Sequence, residues 1–122
     1  TAYRKTRDTV RIFCDGEDVE LQPQQILYAE MSARKVCLHL QGADRALLYT
    51  TATMADLADL LENHGFVRTH KSVLVNMEHI RNLQSTRLYL RDGTELPVSS
   101  HTASAVRKIY TQWRSAKKWV IG

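Results

Sequence analysis

Histidine and cysteine are the residue types in this chain that could bind a metal ion or act as nucleophiles. The chain has 122 residues, five of them histidines and two of them cysteines. The histidines are His39, His64, His70, His79 and His101. None of them forms an H-x-x-x-H pair or a cluster with a cysteine, so no metal site is predicted. The sequence also has no glycine-rich phosphate loop and no nucleophile elbow, so it predicts no cofactor and no enzyme.

The two cysteines, Cys14 and Cys37, each lie inside an apolar, strand-like run. Small buried thiols in a reducing cytosol are the ordinary interpretation of such positions. A disulfide between them and a redox-sensing thiol both stay open, because sequence does not show whether two sulfur atoms lie within bonding range.

The charged side chains are grouped along the chain. The formal net charge is +4, from 17 Lys and Arg against 13 Asp and Glu. Residues 12–31 hold five acids and no base, whereas residues 66–91 hold five bases and one acid. Grouped bases suit a protein that meets a polyanion, because each neutralised phosphate releases condensed counterions. Basic runs are also common on faces that contact only solvent.

Length and composition indicate one small globular domain. The chain is 43% apolar and 25% charged, close to globular averages, and it contains no apolar run near the roughly 20 residues of a transmembrane helix. Its start has no initiator Met and no signal-peptide core, so we expect a piece of a longer cytoplasmic protein. We expect residues 1–9 to be a linker or tail from a missing N-terminal region, residues 10–113 to be the domain, and residues 114–122 to be a basic tail.

Apolar residues alternate with polar ones over the first part of the chain, as in β-strands. Residues 10–14 and 19–21 keep this period on either side of the turn pair Asp15-Gly16, which predicts a hairpin. Three further short strands are predicted at 26–28, 36–40 and 46–49.

Two helices are predicted from apolar residues at helical spacing. Thr53 is expected to cap the first helix, and Gly65 to end it. The apolar positions of this helix are Met54, Leu57, Leu60 and Leu61. Its polar face is Asp59, Glu62 and Asn63. That acidic face would repel phosphate, so the helix is assigned to core packing. The second helix is expected from Thr102 onward.

The segment between the helices contains the strongest hairpin pattern. Asp92-Gly93 lies between alternating apolar runs and predicts a type I′ turn. Strands are expected around residues 80–83 and 88–90, whereas residues 73–75 fit either a strand or a short helical turn.

Three motifs follow one another in order along the chain. The longest runs from Phe66 to Asn76, with an aromatic residue, a base, His, Ser and a closing Val-Asn. Leu96-Pro97-Val98-Ser99 lies downstream of it, and Tyr28-Ala29-Glu30 lies upstream. In residue type, order and distance these motifs resemble those of the LytTR family of bacterial DNA-binding domains, in which Tyr28-Ala29-Glu30 fits a Tyr-x-Glu step. The resemblance spans about residues 10 to 113. It implies a mainly β fold with short α-helices, arranged as three small antiparallel β-sheets, one internal helix and a C-terminal helix.

The resemblance further implies that DNA is read by loops, the first of which follows Tyr-x-Glu. Arg34 is the expected base-reading residue there, and Lys35 is the next candidate. A guanidinium can donate to both O6 and N7 of guanine. Both side chains could instead be solvated turn residues.

The second implied loop lies ahead of the Val-Asn motif. Lys71 is its base-reading candidate, and Arg68 and Ser72 are phosphate-contact candidates. His70 is expected to be packed and hydrogen-bonded to hold the loop, with direct DNA contact as the alternative. Asn76 is expected to support the loop by bonding nearby backbone groups.

The third implied loop departs from the family pattern. Many family members place an Arg within two residues of Pro-Val-Ser, whereas this chain has Ser100 and His101. Both are base-reading candidates, although His101 could equally cap the closing helix. Ser104, one turn further on, is a phosphate-contact candidate.

The resemblance implies the output domain of a bacterial response regulator in a two-component system, reading major grooves of double-stranded DNA. Two copies would bind paired direct repeats, and the missing N-terminal part would be a receiver domain or a membrane module, so the parent could be membrane-tethered. A protein-interaction or dimerisation module is the alternative, with the aromatic side chains Tyr110, Trp113 and Trp119 docking a partner. A membrane-surface helix at residues 107–119 is a third possibility.

Overall fold

The computed structural model describes residues 9–42 and 45–119, with side chains up to residue 116. Ten β-strands and two α-helices lie in those residues. The strands are β1 Val10–Cys14, β2 Glu17–Leu21, β3 Ile26–Ser32, β4 Lys35–Leu40, β5 Leu47–Thr50, β6 Phe66–His70, β7 Val73–Asn76, β8 Ile80–Leu83, β9 Arg87–Leu90 and β10 Glu95–Pro97. The helices are α1 Met54–Leu61 and α2 Ala103–Trp119. Apart from Thr9, the linker predicted at residues 1–9 lies outside the described residues.

The described strands form two antiparallel sheets. The larger has the order β2-β1-β5-β4-β3-β7-β6, and the smaller has the order β10-β9-β8. The expected mainly β fold with two helices is confirmed. Three sheets were expected, but the single residue pair Cys14↔Thr50 joins the first hairpin to β5, and β3 pairs with both β4 and β7. Residues 73–75 are a strand, inside the larger sheet.

Two hydrophobic cores lie on opposite faces of the larger sheet. On β7, Leu74 belongs to the first core and its neighbours Val73 and Val75 belong to the second. Successive side chains of a strand point to opposite faces, which places the cores on either side. The first core is closed by α1 and the second by the smaller sheet and Val106 of α2. Each fully buried aliphatic side chain contributes about 1.5–3 kcal/mol to stability.

Helix α1 follows the predicted pattern closely. The Thr53 hydroxyl accepts a hydrogen bond from the Asp56 N–H at 3.0 Å, which caps the helix. Three of the four predicted apolar positions are buried, whereas Leu60 is 41% exposed. A 3-10 turn, Glu62–His64, then leads to Gly65, which has a left-handed φ of 85°.

The prediction of a type I′ turn at Asp92-Gly93 is wrong. Only Gly93 has a positive φ there, and the Leu90 N–H donates to the Thr94 carbonyl at 2.9 Å, which leaves a three-residue loop. The Asp92 carboxylate accepts from the Thr94 N–H at 2.9 Å, and this local bond holds Asp92 out of the left-handed conformation. Asp15-Gly16 has positive φ at both residues and is the pair that forms the I′ geometry.

The cysteines are buried, free thiols. Cys14 pairs with Thr50, which pairs with Val36, so these three side chains point to one face of the larger sheet. Cys37 follows Val36 in β4 and therefore points to the other face. The sheet lies between the two sulfur atoms, which rules out a disulfide between them in this fold.

Helix α2 packs through one side. Val106 is buried, and the half-buried rings of Tyr110 and Trp113 stack on each other beside the second core, with centroids 6.2 Å apart. Ile109 is 43% exposed on the same helix. In the part of the chain that the structure describes, no helix is long and apolar enough to cross a membrane.

Candidate nucleic-acid interface

The turn between β3 and β4 presents Arg34 from a tight and strained backbone. Ser32 pairs with Lys35, so only Ala33 and Arg34 lie between the strands, with φ values of 48° and 73°. A left-handed conformation costs a residue with a Cβ roughly 1–2 kcal/mol. Strain of this kind concentrates at functional sites. The Arg34 and Lys35 side chains are both exposed.

The turn between β6 and β7 is held by its own side chains. The exposed Arg68 guanidinium donates to the Lys71 carbonyl at 2.6 Å. His70 Nδ1 accepts from the Ser72 N–H at 3.2 Å and lies 2.9 Å from the Ser72 hydroxyl. The His70 ring is therefore an acceptor inside the turn, and the Lys71 side chain is exposed at its tip.

The loop between β10 and α2 presents exposed polar residues. Ser100 and His101 are both exposed, and the His101 N–H donates to the Ser99 hydroxyl at 3.3 Å. Helix α2 begins at Ala103, so Thr102, not His101, directly precedes it. Ser104 is exposed in the first turn of the helix.

Backbone hydrogen bonds bring these three segments together at one edge of the molecule. The Met31 N–H, near the end of β3, donates to the Ser72 carbonyl at 3.0 Å. The Ser99 N–H donates to the Thr69 carbonyl at 2.8 Å. The β6–β7 turn is therefore the middle of the group, with the β3–β4 turn on one side and the β10–α2 loop on the other.

Thr69 is a site residue that sequence reasoning missed. It is fully buried, and its hydroxyl donates to the Pro97 carbonyl at 2.9 Å. Thr69 stands two residues after buried Val67 in a strand, and that period of two was the available signal. A hydroxyl at such a core-facing position needs a hydrogen-bond partner.

Asn76 connects the end of β7 to a distant part of the chain. Its amide donates to the carbonyls of Pro23 at 3.2 Å and Ile26 at 3.0 Å, and its oxygen accepts from the Glu78 N–H at 3.0 Å. Only 2% of Asn76 is exposed. One of the three bonds is local, and two reach about fifty residues back to the start of β3.

The bases of the candidate site carry uncompensated positive charge. The ion pairs among the described residues are Arg11–Glu20, His39–Glu30, Arg45–Asp15 and Arg87–Glu95. None of them includes Arg34, Lys35, Arg68 or Lys71. Within the described ranges no group of acidic, histidine or cysteine side chains could hold a metal ion. Exposed basic side chains outside these ion pairs suit an anionic ligand.

The fold and the loops together define a class of protein. It is a mainly β domain that carries exposed basic side chains on loops at one edge, an arrangement suited to binding a polyanion. A sequence model of the LytTr DNA-binding domain matches residues 16–111, and the chain belongs to this family of DNA-binding domains. The resemblance drawn from its motifs is thereby confirmed.

Two known proteins are similar to the chain. The Bacillus subtilis (strain 168) sensory transduction protein LytT is 31% identical over 67 residues, which cover 50% of this chain and 28% of LytT. The solved LytTr DNA-binding domain of a putative methyl-accepting/DNA response regulator from Bacillus cereus is 24% identical, with a TM-score of 0.69. That likeness covers 83% of this chain and 94% of the other and shows the fold.

Proposed function

We propose that this domain binds double-stranded DNA sequence-specifically, as the output domain of a bacterial transcription regulator that reads major grooves with loops. The observation that carries the proposal is the group of three hydrogen-bonded loops with exposed, unpaired bases at one edge. In this proposal Arg34, Lys35, Lys71, Ser100 and His101 meet base edges. Arg68, Ser72 and Ser104 meet phosphates.

The helices support loop reading because neither suits a groove. Helix α1 buries Met54, Leu57 and Leu61. The exposed side chains on this helix and directly after it include the acidic Asp59 and Glu62. Helix α2 buries Val106, its fourth residue, within one turn of the β10–α2 loop. A recognition helix instead directs its N-terminal side chains at base edges.

The proposal includes partners beyond this chain. Two copies of the domain occupy paired direct repeats on the DNA. A sensory module, either a receiver domain or a membrane module, precedes the domain in a regulator that is cytoplasmic or membrane-tethered. The match to 28% of a sensory transduction protein supports a longer parent.

In vitro selection of bound duplexes from a random pool tests the proposal. We expect one recurring sequence, bound far more tightly than unselected DNA, with affinity falling steeply between about 50 and 200 mM salt. Recovery of no preferred sequence by folded protein, as judged by circular dichroism, would refute sequence-specific binding.

A protein-interaction surface is the second candidate, supported by a different part of the molecule. Phe13, Leu47 and Tyr49 are 52%, 40% and 39% exposed. Strand pairing places Tyr49 opposite Cys37, and Leu47 and Phe13 on that same face of the larger sheet. Tyr110 and Trp113, predicted to dock a partner, are half-buried beside the second core, and the Trp119 side chain lies outside the described residues.

A further inference from the structure

Thr69 joins the β6–β7 turn to the β10–α2 loop through both its side chain and its backbone. Its hydroxyl donates to the Pro97 carbonyl at 2.9 Å, and its carbonyl accepts from the Ser99 N–H at 2.8 Å. The Thr102 hydroxyl lies 3.5 Å from the same carbonyl. A residue with no exposed surface thus bonds three positions around the candidate residues Ser100 and His101.

These bonds fix where the chain leaves β10. Pro97 has no N–H, so it cannot donate to a neighbouring strand, and β10 ends at this residue. Beyond it, the Val98 N–H donates to the Thr86 carbonyl and the Val98 side chain is buried in the second core, whereas Ser99 and Thr102 bond the Thr69 carbonyl. Without the Thr69 hydroxyl, the Pro97 carbonyl loses this partner, and the start of the loop keeps the Val98 and Ser99 backbone bonds and the buried Val98 side chain as its anchors.

Thr69 also stands two residues before Lys71, the candidate at the tip of the β6–β7 turn. We propose that Thr69 is a positioning residue, whose hydroxyl sets the distance between Lys71 and the Ser100–His101 pair and thereby sharpens base preference without contacting DNA. This inference rests on the proposed function and names a residue that regulates the geometry of that same site.

Two substitutions and a matched control test the inference. Thr69→Val removes the hydroxyl at nearly constant shape, and Thr69→Ser retains it. Thr50→Val is the control. Thr50, at the end of β5, is also buried, at 1% exposure, and its hydroxyl accepts a hydrogen bond from the Ala52 N–H at 3.1 Å. Thr69→Ala, with a smaller side chain, provides a second hydroxyl-free variant in case valine prevents folding.

The measurement is the ratio of affinities for a selected duplex and a random duplex, taken together with the melting temperature. We expect Thr69→Val to lower the ratio about tenfold, the size of one misplaced base contact, and Thr69→Ser to stay within about twofold of wild type. Thr50→Val is expected to lower the melting temperature and leave the ratio unchanged.

The two proposals fail in different ways. If the wild-type ratio is near one, sequence-specific binding is wrong and the inference falls with it. If the wild type discriminates and the hydroxyl-free variants discriminate equally well, or lose no more than Thr50→Val does, Thr69 is a structural residue only and the inference alone is wrong.

Discussion

Arg34 and Arg68 are both exposed bases of the candidate interface, but their surroundings differ. Arg34 extends from a strained two-residue turn, whereas the Arg68 guanidinium already donates to the Lys71 carbonyl. We expect Arg34→Ala to lower the preference for a selected duplex by about 5- to 150-fold and leave affinity for random DNA unchanged, because a lost base contact costs roughly 1–3 kcal/mol. Arg68→Ala should weaken binding to every duplex alike and reduce the salt slope by about one.

Anisotropy titrations at several salt concentrations measure both quantities. Arg11→Ala is the control, because Arg11 is exposed, pairs with Glu20 in the first hairpin and lies in none of the three loops. Equal weakening of selected and random duplexes by Arg34→Ala would make Arg34 a phosphate contact and contradict its predicted role.

The residue types of the site were predictable from the sequence, and their partners were not. Basic residues at turn positions are visible in the sequence because turn residues are polar and lie between apolar runs. The bonds from Thr69 to Pro97 and from Asn76 to Pro23 join residues 28 and 53 positions apart. Such partners are set by strand pairing, which a single sequence does not specify.

At the scale of elements, the β3–β4 turn is a hairpin turn of the I′ kind without the usual glycine or asparagine. We expect Ala33→Gly to stabilise the domain by about 0.5–1 kcal/mol, because glycine adopts the observed φ of 48° without a Cβ clash. Ala105→Gly, at an exposed position of α2, should destabilise by about 1 kcal/mol. Urea unfolding of the two variants measures both effects, and a loss of stability in Ala33→Gly would mean that this turn is not strained.

The contact between Gly65 and α2 gives a second element-scale prediction. A Cβ on Gly65 would lie 2.9 Å from the Trp113 indole nitrogen, whereas a Cβ on Gly93 would meet nothing within 4 Å. Both glycines have positive φ, so alanine costs each roughly 1–2 kcal/mol of backbone strain. We expect Gly65→Ala to cost measurably more than Gly93→Ala in thermal unfolding, and to shift the tryptophan emission. Equal costs and unchanged emission would show that Trp113 moves aside freely.

The two Asp-Gly pairs show why turn type was only partly predictable. Both are followed by strands, yet only Asp15-Gly16 forms the I′ turn. At the other pair, the hydrogen bond from Thr94 to the Asp92 carboxylate lowers the pKa of Asp92 and favours a different loop. The Asp-Gly dipeptide is common to both turns, so the information that separates the two geometries lies outside it.

At the scale of the whole molecule, period-two patterning predicts most of the strands, because a half-buried strand must alternate. It does not predict how the strands join into sheets. Strand pairing connects the first hairpin to the rest of the larger sheet at the one pair Cys14↔Thr50, beside which the Asp15 N–H donates to the Tyr49 carbonyl at 2.9 Å. Whether two groups of strands form one sheet or two therefore depends on a contact too small to leave a pattern in the sequence.

That same junction predicts how the stability of the whole domain depends on pH. Burial, with a further contribution from Asp15, raises the pKa of Cys14 from 9.0 to about 11, against an opposing effect of Arg45. As pH rises, the unfolded chain loses the thiol proton first, so the stabilisation is complete below about pH 9 and is lost towards pH 11. We expect the free energy of unfolding to fall over this window by on the order of 1–3 kcal/mol.

Urea unfolding of wild type and Cys14→Ala between pH 7 and 11 isolates this contribution. Tyr28 and Cys37, whose pKa values burial also raises, act in the same direction and remain in both proteins. The void left by the substitution lowers the free energy of unfolding by the same amount at every pH. Plotted against pH, the free energies of unfolding of the two proteins should therefore run parallel below about pH 9 and converge above it. Curves that stay parallel up to pH 11 would mean that the Cys14 thiol ionises as readily in the folded domain as in the unfolded chain, and that the junction between β1 and β5 opens to water.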